Sequence, residues 1–247
     1  MEVRVTTSVA AFHDEAASFV SERVRQSPSA VLALPTGSSP VGMYRELVRR
    51  VRDGVLDLSR TVCFNLDEYL GLGPDHPQSY AQYMQHHLFG HVRVGRHHIP
   101  DGLAADPDAE ARRYEERIVE AGGFDLAILG LGPNGHIGFN EPGSPPDSRT
   151  RVVELSPATR RANSRFFGSV ELVPRRAITV GIGTILEARE ILLLAIGQGK
   201  ERVLRAALEG PVTAQVPASF LQRHPRVTVL VTPDLARRAG IGQRVSL

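Results

Sequence analysis

Short, continuously apolar segments recur along the chain and alternate with segments of helical periodicity. The apolar segments are "AVLAL" (30–34), "TVCF" (61–64), "DLAILGL" (125–131), "AITVGI" (177–182), "EILLLAI" (190–196) and "RVTVLVT" (226–232). Apolar runs without strict alternation are typical of strands that are covered on both faces, as in a mainly parallel sheet. The pattern therefore indicates strands of one buried sheet, with the segments between them available as crossover helices.

Two of the intervening segments carry a helical pattern. After Ser39 and Pro40, which are suited to a cap and a first turn, apolar residues recur at three- and four-residue spacing over 41–51. A second pattern begins at Asp106 and Pro107 and ends at the glycine pair 122–123. Strands that alternate with helices of this length predict an α/β fold with a doubly wound, mainly parallel sheet and helices on both faces.

The composition limits the classes of protein to be considered. The 247 residues fit one domain spanning 1–247, with 42% hydrophobic and 23% charged residues. No apolar run approaches the roughly 20 residues of a membrane helix, and the first twenty residues do not resemble a secretory signal, so we expect a cytoplasmic protein without a membrane partner. The net charge of +2 is too small to predict a nucleic-acid partner.

Ligands of doubly wound sheets bind beyond the carboxyl ends of the strands, so the loops after the apolar runs are the candidate sites. The first loop, "LPTGSSP" (34–40), offers hydroxyls and backbone N–H groups at a predicted helix N-terminus, from Thr36, Gly37, Ser38 and Ser39. Such a loop is either an anion site or a capped turn without a ligand. The loop alone does not distinguish these alternatives.

The second loop, in "FNLDEYLGL" (64–72), places Asp67 and Glu68 directly after an apolar run. A carboxylate at the end of a strand is a candidate proton acceptor, although acidic loop residues more often cap helices or lie in water.

The third loop lies in "LGLGPNGHIGFNEPG" (129–143), which contains a G-x-G-x-x-G pattern. A dinucleotide fingerprint requires a helix to start within the glycine run, and the glycines and prolines over 138–146 forbid a sustained helix here. Asn134, His136 and Glu141 remain close together in sequence at the end of a strand. Histidine suits proton transfer near neutral pH, and an amide or carboxylate neighbour can fix its tautomer; the alternative is a structural loop histidine.

Two cations are candidates for binding an anion near these loops. Lys200 lies at the start of a predicted helix, where a positive charge opposes the helix dipole unless an anion is shared there, and Arg165 lies in "RANSRFF". The histidine pairs at 86–87 and 97–98 lack a metal-binding spacing, so we predict no metal. The single cysteine, Cys63, lies in an apolar run and is expected to be buried.

Seven motifs together, in this order, resemble the glucosamine-6-phosphate deaminase family. They are "LPTGSSP", "FNLDEYLGL", "HPQSY", "GLGPNGHIGFNEPG", "RANSRFF", "TVGIGTILEA" and "SFLQRHP", which cover about residues 30–230. The related 6-phosphogluconolactonases are the alternative: they share the fold and a similar glycine-rich loop, which typically continues differently from "FNEP".

The resemblance implies a reaction and a role for each candidate residue. The family converts D-glucosamine 6-phosphate and water into fructose 6-phosphate and ammonia without a cofactor. By the family pattern, His136 opens the sugar ring with Glu141 and residue 134 orienting it, and Asp67 shuttles a proton between C2 and C1. The phosphate would lie on the 36–39 loop, with charge from Arg165 and Lys200.

This chain departs from many family members at one of these positions. Asn134 stands where those members have aspartate. Asparagine can hold the imidazole by a hydrogen bond but brings no charge to raise its pKa.

The resemblance does not determine the oligomeric state. Both monomers and hexamers occur in the family, so the resemblance allows a homo-oligomer.

Overall fold

Ten strands and the helices between them make up the part of the chain, residues 1–242, that the computed structural model describes. The strands are β1 (Glu2–Val5), β2 (Val31–Leu34), β3 (Val62–Asn65), β4 (Asp67–Tyr69), β5 (Arg96–His98), β6 (Leu126–Gly130), β7 (Arg151–Glu154), β8 (Arg176–Thr179), β9 (Ile191–Ala195) and β10 (Val227–Val231). The α-helices are α1 (Val9–Gln26), α2 (Val41–Arg52), α3 (Tyr80–Met84), α4 (Pro107–Glu120), α5 (Pro157–Phe167), α6 (Ile182–Leu186), α7 (Glu201–Glu209) and α8 (Pro233–Ala239). A π-helix (Gln85–Phe89) continues α3, and a 3₁₀-helix (Pro217–Arg223) precedes β10.

Seven strands form one parallel sheet in the order β1-β10-β9-β6-β2-β3-β5. From β2 the chain first builds outward through β3 to β5 and then returns to β6, on the other side of β2, to build toward β9 and β10. The direction of winding therefore reverses between β2 and β6, which is where doubly wound sheets open a crevice for ligands. The predicted fold is confirmed.

The two faces of this sheet are covered by separate apolar clusters. Along β9, Ile191, Leu193 and Ala195 point into one cluster, which includes residues of α4, α6, α7 and α8. Leu192 and Leu194 point into the other, which includes residues of α1, α2 and the π-helix. Burial on both faces explains why the central strands read as unbroken apolar runs in the sequence.

One apolar run does not belong to the parallel sheet. The run 177–182 contributes β8, which pairs antiparallel with both β4 and β7 in a separate three-stranded sheet. The expectation that this run is a strand of the parallel sheet is therefore wrong. Its residues Ala177, Ile178 and Thr179 are fully buried, and burial produces the same apolar signature whether the neighbouring strands are parallel or antiparallel.

Both predicted helices are present, with one difference at a terminus. Helix α4 begins after its N-cap Asp106, whose side chain accepts from the amide of Ala109, as the sequence pattern predicts. Helix α2 has Pro40 rather than Ser39 at the N-cap position, and no side chain of the described residues caps it. The hydroxyl of Ser39 therefore does not serve as the helix cap.

The predicted single domain, 1–247, extends past the end of the described part of the chain, since residues 243–247 lie outside it. In residues 1–242, no helix has both the length and the apolarity that crossing a membrane requires.

The side chain of Tyr114 connects α4 to the carboxyl ends of two parallel strands. Its phenol oxygen lies 2.8 Å from the carbonyl oxygen of Asn65, at the end of β3, and 2.9 Å from that of His98, at the end of β5. Tyr114 is fully buried, and its ring packs edge-on against Phe64 at a centroid distance of 5.7 Å. One buried hydroxyl thus fixes the segment from which the next strand, β4, departs.

We expect Tyr114→Phe to destabilise the protein while leaving its core packed. Two carbonyl groups lose a buried partner, which costs about 1–3 kcal/mol, or roughly 2–10 °C in the midpoint of thermal unfolding for a chain of this size. Val119→Ala, an exposed position on the same helix, is the matched control and should change the stability by less than about 0.5 kcal/mol. Equal midpoints for the two variants would contradict this role of Tyr114.

Candidate active site

Loops from neighbouring strands meet where the winding of the sheet reverses. The loops after β2 (35–40) and after β6 (131–141) flank this point, and the segments after β3 and β9 lie beside them because all four strands are parallel neighbours. The three loops singled out from the sequence and the position of Lys200 are therefore at one edge of the sheet.

Asn134 connects His136 to Glu141 in the loop after β6. The Nδ1 of His136 lies 2.7 Å from Oδ1 of Asn134, and Nδ2 of Asn134 donates to Oε2 of Glu141 over 2.7 Å. The imidazole and the carboxylate are themselves 3.8 Å apart. The amide therefore serves as an acceptor on one side and a donor on the other. Because its oxygen faces Nδ1, the neutral imidazole carries its proton there and leaves the Nε2 lone pair free.

Hydroxyl groups at the N-terminus of α5 hold Glu141 in place. The second carboxylate oxygen, Oε1, accepts from the hydroxyl of Ser156 at 3.2 Å and from that of Thr159. Both donors lie at the N-terminus of α5, which begins after the N-cap Ser156. Both oxygens of Glu141 therefore accept hydrogen bonds. The series of hydrogen bonds from His136 through Asn134 to Glu141, the His136–Asn134–Glu141 relay, ends at the N-terminus of α5.

Glycines in this loop provide room for the imidazole and turn the chain. A Cβ atom on Gly132 would lie 2.3 Å from the ring of His136, so only glycine leaves that space free. Gly135 has φ +86°, in the left-handed region, and its amide donates to the carbonyl oxygen of Gly132. No helix starts in the glycine run, which agrees with the rejection of the dinucleotide interpretation.

Opposing effects set the protonation of His136. Burial lowers its pKa from the ordinary value, the carboxylate of Glu141 opposes this effect, and the positive charge of Lys200 adds to it. Burial also lowers the pKa of Lys200 itself, to about 8. The neutral imidazole is thus favoured near neutral pH, in the form that can accept a proton at Nε2.

Asp67 is a buried carboxylate with little to neutralise its charge. It opens β4, is 5% exposed, and its Oδ1 has no hydrogen-bond partner in the described structure. Burial, and secondarily the charge of Glu68, raises the pKa of Asp67 to about 8. A Cβ on Gly138 would lie 3.4 Å from Oδ2, so this glycine keeps the loop after β6 close to the carboxylate. An unpaired carboxylate with a raised pKa is suited to accepting a proton from carbon.

The loop after β2 makes a tight turn before the N-terminus of α2. Gly37 and Ser38 are exposed, Thr36 is half-buried and Ser39 is buried at the start of α2. The hydroxyl of Tyr83 donates to the carbonyl oxygen of Gly37 over 2.6 Å and so fixes the turn, in which Gly37 has φ +85°.

The two predicted cations differ in their position. Lys200 is half-buried at the N-cap position of α7 and close enough to influence His136. Arg165 is exposed on α5, with its guanidinium carbon 4.6 Å from the ring centroid of Phe166. Within residues 1–242 no hydrogen bond or ion pair joins Arg165 to the 36–39 loop. Lys200 thus acts on His136 directly, whereas Arg165 extends from a helix whose residues Asn163 and Phe166 line one cavity with Gly37 and Ser38.

Other chemically reactive groups in the described residues do not form a site. In this part of the chain no group of three or more His, Cys, Asp or Glu side chains is arranged to hold a metal. Cys63 is buried as expected, and burial raises the pKa of its thiol to about 12, which keeps it neutral.

Comparison with known proteins agrees with this geometry. A family model described as "Glucosamine-6-phosphate isomerases/6-phosphogluconolactonase" matches residues 5–230. The chain belongs to this family. It is 46% identical over 238 residues to a glucosamine-6-phosphate deaminase of Thermoanaerobacter pseudethanolicus, covering 96% of this chain and 94% of the relative. It is 54% identical over 217 residues to one of Rhodopirellula baltica, covering 87% and 86% of the two chains.

Solved structures in the same family show the same fold. A structure described as a monomeric glucosamine-6-phosphate deaminase superposes with a TM-score of 0.93 at 42% identity, covering 96% of this chain and 100% of that one. The 6-phosphogluconolactonase of Trypanosoma cruzi superposes with a TM-score of 0.75 at 22% identity, covering 96% of both chains, a likeness that extends to the fold. The resemblance inferred from the seven motifs is confirmed.

Several polar residues that support this site in the family fold were not identified from the sequence. Thr179 of β8 accepts from the amide of Phe139, and the side chain of Asn140 donates to the carbonyl oxygen of Val180. Arg151 of β7 donates to Oδ1 of Asn140. These contacts attach the loop after β6 to the small antiparallel sheet. Asn140 and Thr179 lie within the "FNEP" and "TVGIGTILEA" motifs, which marked these segments but not the contacts of the two side chains.

We expect Asn134→Asp to raise the pKa of His136. A carboxylate next to Nδ1 favours the imidazolium ion, by about one pKa unit or more, whereas Glu141 acts on the imidazole in both proteins. An NMR titration of the imidazole resonances measures this change. Gln26→Glu, which adds the same charge at an exposed position of α1, is the control and should leave the titration in place. An unchanged titration in Asn134→Asp would show that residue 134 does not govern the imidazole.

Proposed function

We propose that this chain converts D-glucosamine 6-phosphate and water into D-fructose 6-phosphate and ammonia, as a glucosamine-6-phosphate deaminase that needs no cofactor. The observation that carries the proposal is the combination of two proton-transfer groups at one edge of the sheet: the His136–Asn134–Glu141 relay and the isolated, buried Asp67. The names of relatives with 43–54% identity support the same activity.

The phosphate of the substrate binds at the loop after β2 and orients the sugar. Backbone N–H groups and hydroxyls of 36–39, at the N-terminus of α2, face an anion favourably, and the ammonium group of Lys200 adds charge. An anion beside Lys200 would also reverse the depression of its pKa. Arg165 adds a second positive charge from α5: its guanidinium lies against the ring of Phe166, which lines the same cavity as Gly37 and Ser38.

His136 opens the sugar ring. Its neutral imidazole takes the proton of the anomeric hydroxyl at Nε2 and returns a proton to the ring oxygen, so the pyranose becomes an open-chain aldehyde. Asn134 keeps the other nitrogen occupied, and Glu141 stabilises the imidazolium ion that forms between the two transfers. Ring opening is required first because it makes the hydrogen on C2 acidic, next to a carbonyl group.

Asp67 moves the proton from C2 to C1. As a carboxylate it removes the C2 proton, which gives an enolamine, and it returns the proton to C1, which leaves an imine at C2. Water then adds to that imine, and ammonia leaves as C2 becomes the carbonyl of fructose 6-phosphate. Because only the ionised carboxylate accepts the proton, the rate should rise with pH through the pKa of Asp67, which is raised to about 8.

A lactone hydrolase is the alternative that the family fold admits. The lactonase structures share 17–22% of their sequence with this chain, against 42% for the deaminase structure. Hydrolysis of a lactone needs no base for a carbon-bound proton, so it gives no use to the buried carboxylate of Asp67. We therefore favour the deaminase, acting on a free sugar phosphate in the cytoplasm.

Incubation of the purified protein with glucosamine 6-phosphate tests the proposal. We expect equal amounts of ammonia and fructose 6-phosphate, measured by coupled assays, and no comparable turnover of 6-phosphogluconolactone. A folded protein that releases neither product would refute the deaminase, and faster turnover of the lactone would support the alternative.

We expect Asp67→Asn to bind the substrate and to lose the isomerisation. The amide has nearly the same shape but does not accept a proton from carbon, so kcat should fall by about 10²- to 10⁴-fold. Loss of solvent deuterium incorporation into the sugar, followed by NMR, reports this step, and calorimetry reports binding. Asp108→Asn, at an exposed position of α4, should keep the full rate. Deuterium incorporation that persists in Asp67→Asn would assign the base to another residue.

A further inference from the structure

The small antiparallel sheet places three side chains in one row that faces the loop after β6. Thr179 of β8 is the register partner of Asp67 on β4 and also of Arg151 on β7. Directly opposed residues of antiparallel strands lie on the same face of a sheet. The proposed base, Asp67, therefore shares a row with Thr179 and Arg151, and the proposed mechanism gives Arg151 no role.

The turn 137–140 packs on this row, and His136 directly precedes it in the chain. Gly138 has φ +57°, in the left-handed region. A Cβ atom at Gly138 would lie 3.1 Å from Oγ1 of Thr179 and 3.4 Å from Oδ2 of Asp67. The turn therefore touches the proposed base at one point and carries the imidazole at its start, so its position on the row sets the distance between the two groups.

Asn140 closes the turn with a fully buried side chain. Its Nδ2 donates to the carbonyl oxygens of Ile137 at 2.9 Å and Val180 at 2.8 Å, and its Oδ1 accepts from Nη1 of Arg151 at 2.8 Å. The other terminal nitrogen of Arg151, Nη2, donates to Oγ of Ser144 at 3.1 Å. One guanidinium group thus holds both the turn and the segment that follows it.

Arg151 is a half-buried cation whose contacts in the described residues are all with uncharged groups. They are the amide of Asn140, the hydroxyl of Ser144 and, at 3.5 Å, the carbonyl oxygen of Arg149. No carboxylate within residues 1–242 forms an ion pair with it. Removing a charge from water without a counter-ion costs free energy, and the rigid fork of two terminal nitrogens is what arginine offers in return.

We propose that Arg151 is a positioning residue for the proton transfer at C2: through Asn140 it fixes the turn 137–140 on the row and so fixes Asp67 relative to His136. This inference rests on the proposed function. The base must lie within reach of the carbon-bound proton once the ring has opened, and a displacement of about 1 Å can cost about 10²-fold in rate.

Ammonia release from ordinary glucosamine 6-phosphate and from substrate deuterated at C2 tests this role. In Arg151→Gln the turn loses its hold, so kcat should fall by about 10- to 100-fold, while KM should stay within about threefold because no hydrogen bond in the described residues joins Arg151 to the 36–39 loop. The isotope effect on kcat should rise, because removal of the C2 proton then limits the rate more strongly. An isotope effect is a ratio and is independent of the folded fraction, so a merely structural role leaves it unchanged.

Arg149→Gln is the matched control for loss of a positive charge and of stability. Arg149 lies two residues before Arg151, and its guanidinium pairs with Glu115 at 3.0 Å and Glu187 at 2.6 Å. The substitution removes two ion pairs without touching the turn 137–140. It should therefore keep the kcat and the isotope effect of the wild-type protein.

Arg151→Lys keeps the inference testable even if Arg151→Gln does not fold. Its single ammonium group keeps the charge but replaces the two nitrogens that contact Asn140 and Ser144 separately, so we expect an intermediate kcat and a raised isotope effect. Wild-type kcat in a folded Arg151 variant, or a lower kcat with an unchanged isotope effect, would overturn the positioning role while the deaminase activity stands. A wild-type protein without ammonia release would instead refute the proposed function itself.

Discussion

The reversal of winding between β2 and β6 is the constraint on which the site depends. Because β3 and β5 are built on one side of β2 and β6, β9 and β10 on the other, the loops after β2 and β6 leave the sheet side by side and in opposite directions. The glycines of both loops then allow the backbone to turn within this narrow space. The small antiparallel sheet completes the arrangement, since β4 carries Asp67 and β8 supports the loop after β6.

Burial has opposite effects on the two proposed proton-transfer groups. The carboxylate of Asp67 loses solvation as an anion, so its pKa rises, whereas the imidazole of His136 loses solvation as a cation, so its pKa falls. In both cases, burial favours the neutral form of the side chain. Burial at one end of the sheet thereby adjusts the pKa values of a proposed base and of a proposed acid-base group.

The central strands could be predicted, and candidate site residues could be named, because the signals are local; the roles of those residues came from the family resemblance. Strands buried on both faces read as apolar runs, and Asp67, Asn134, His136 and Glu141 follow such runs closely in the sequence. The edge strands β1 and β5, with exposed or half-buried residues, lack that signature. Thr159 and Thr179 contact the loop from 18 and 40 residues away in sequence, which no spacing rule anticipates. The side-chain direction of Arg165 likewise depends on packing against Phe166.

The amide of Asn134 has an oxygen at one end and a nitrogen at the other, and its two partners require opposite ends. Only one orientation of the amide satisfies both His136 and Glu141. Its oxygen then faces Nδ1, so the proton of the neutral imidazole lies on that nitrogen and not on Nε2. A carboxylate at this position would also accept from Nδ1 but, unlike the amide, would have no N–H group to donate to Glu141. In the proposed mechanism, all proton exchange between this ring and the sugar then passes through a single atom, Nε2. The proton that the ring takes from one oxygen of the sugar is therefore the proton that it returns to the other.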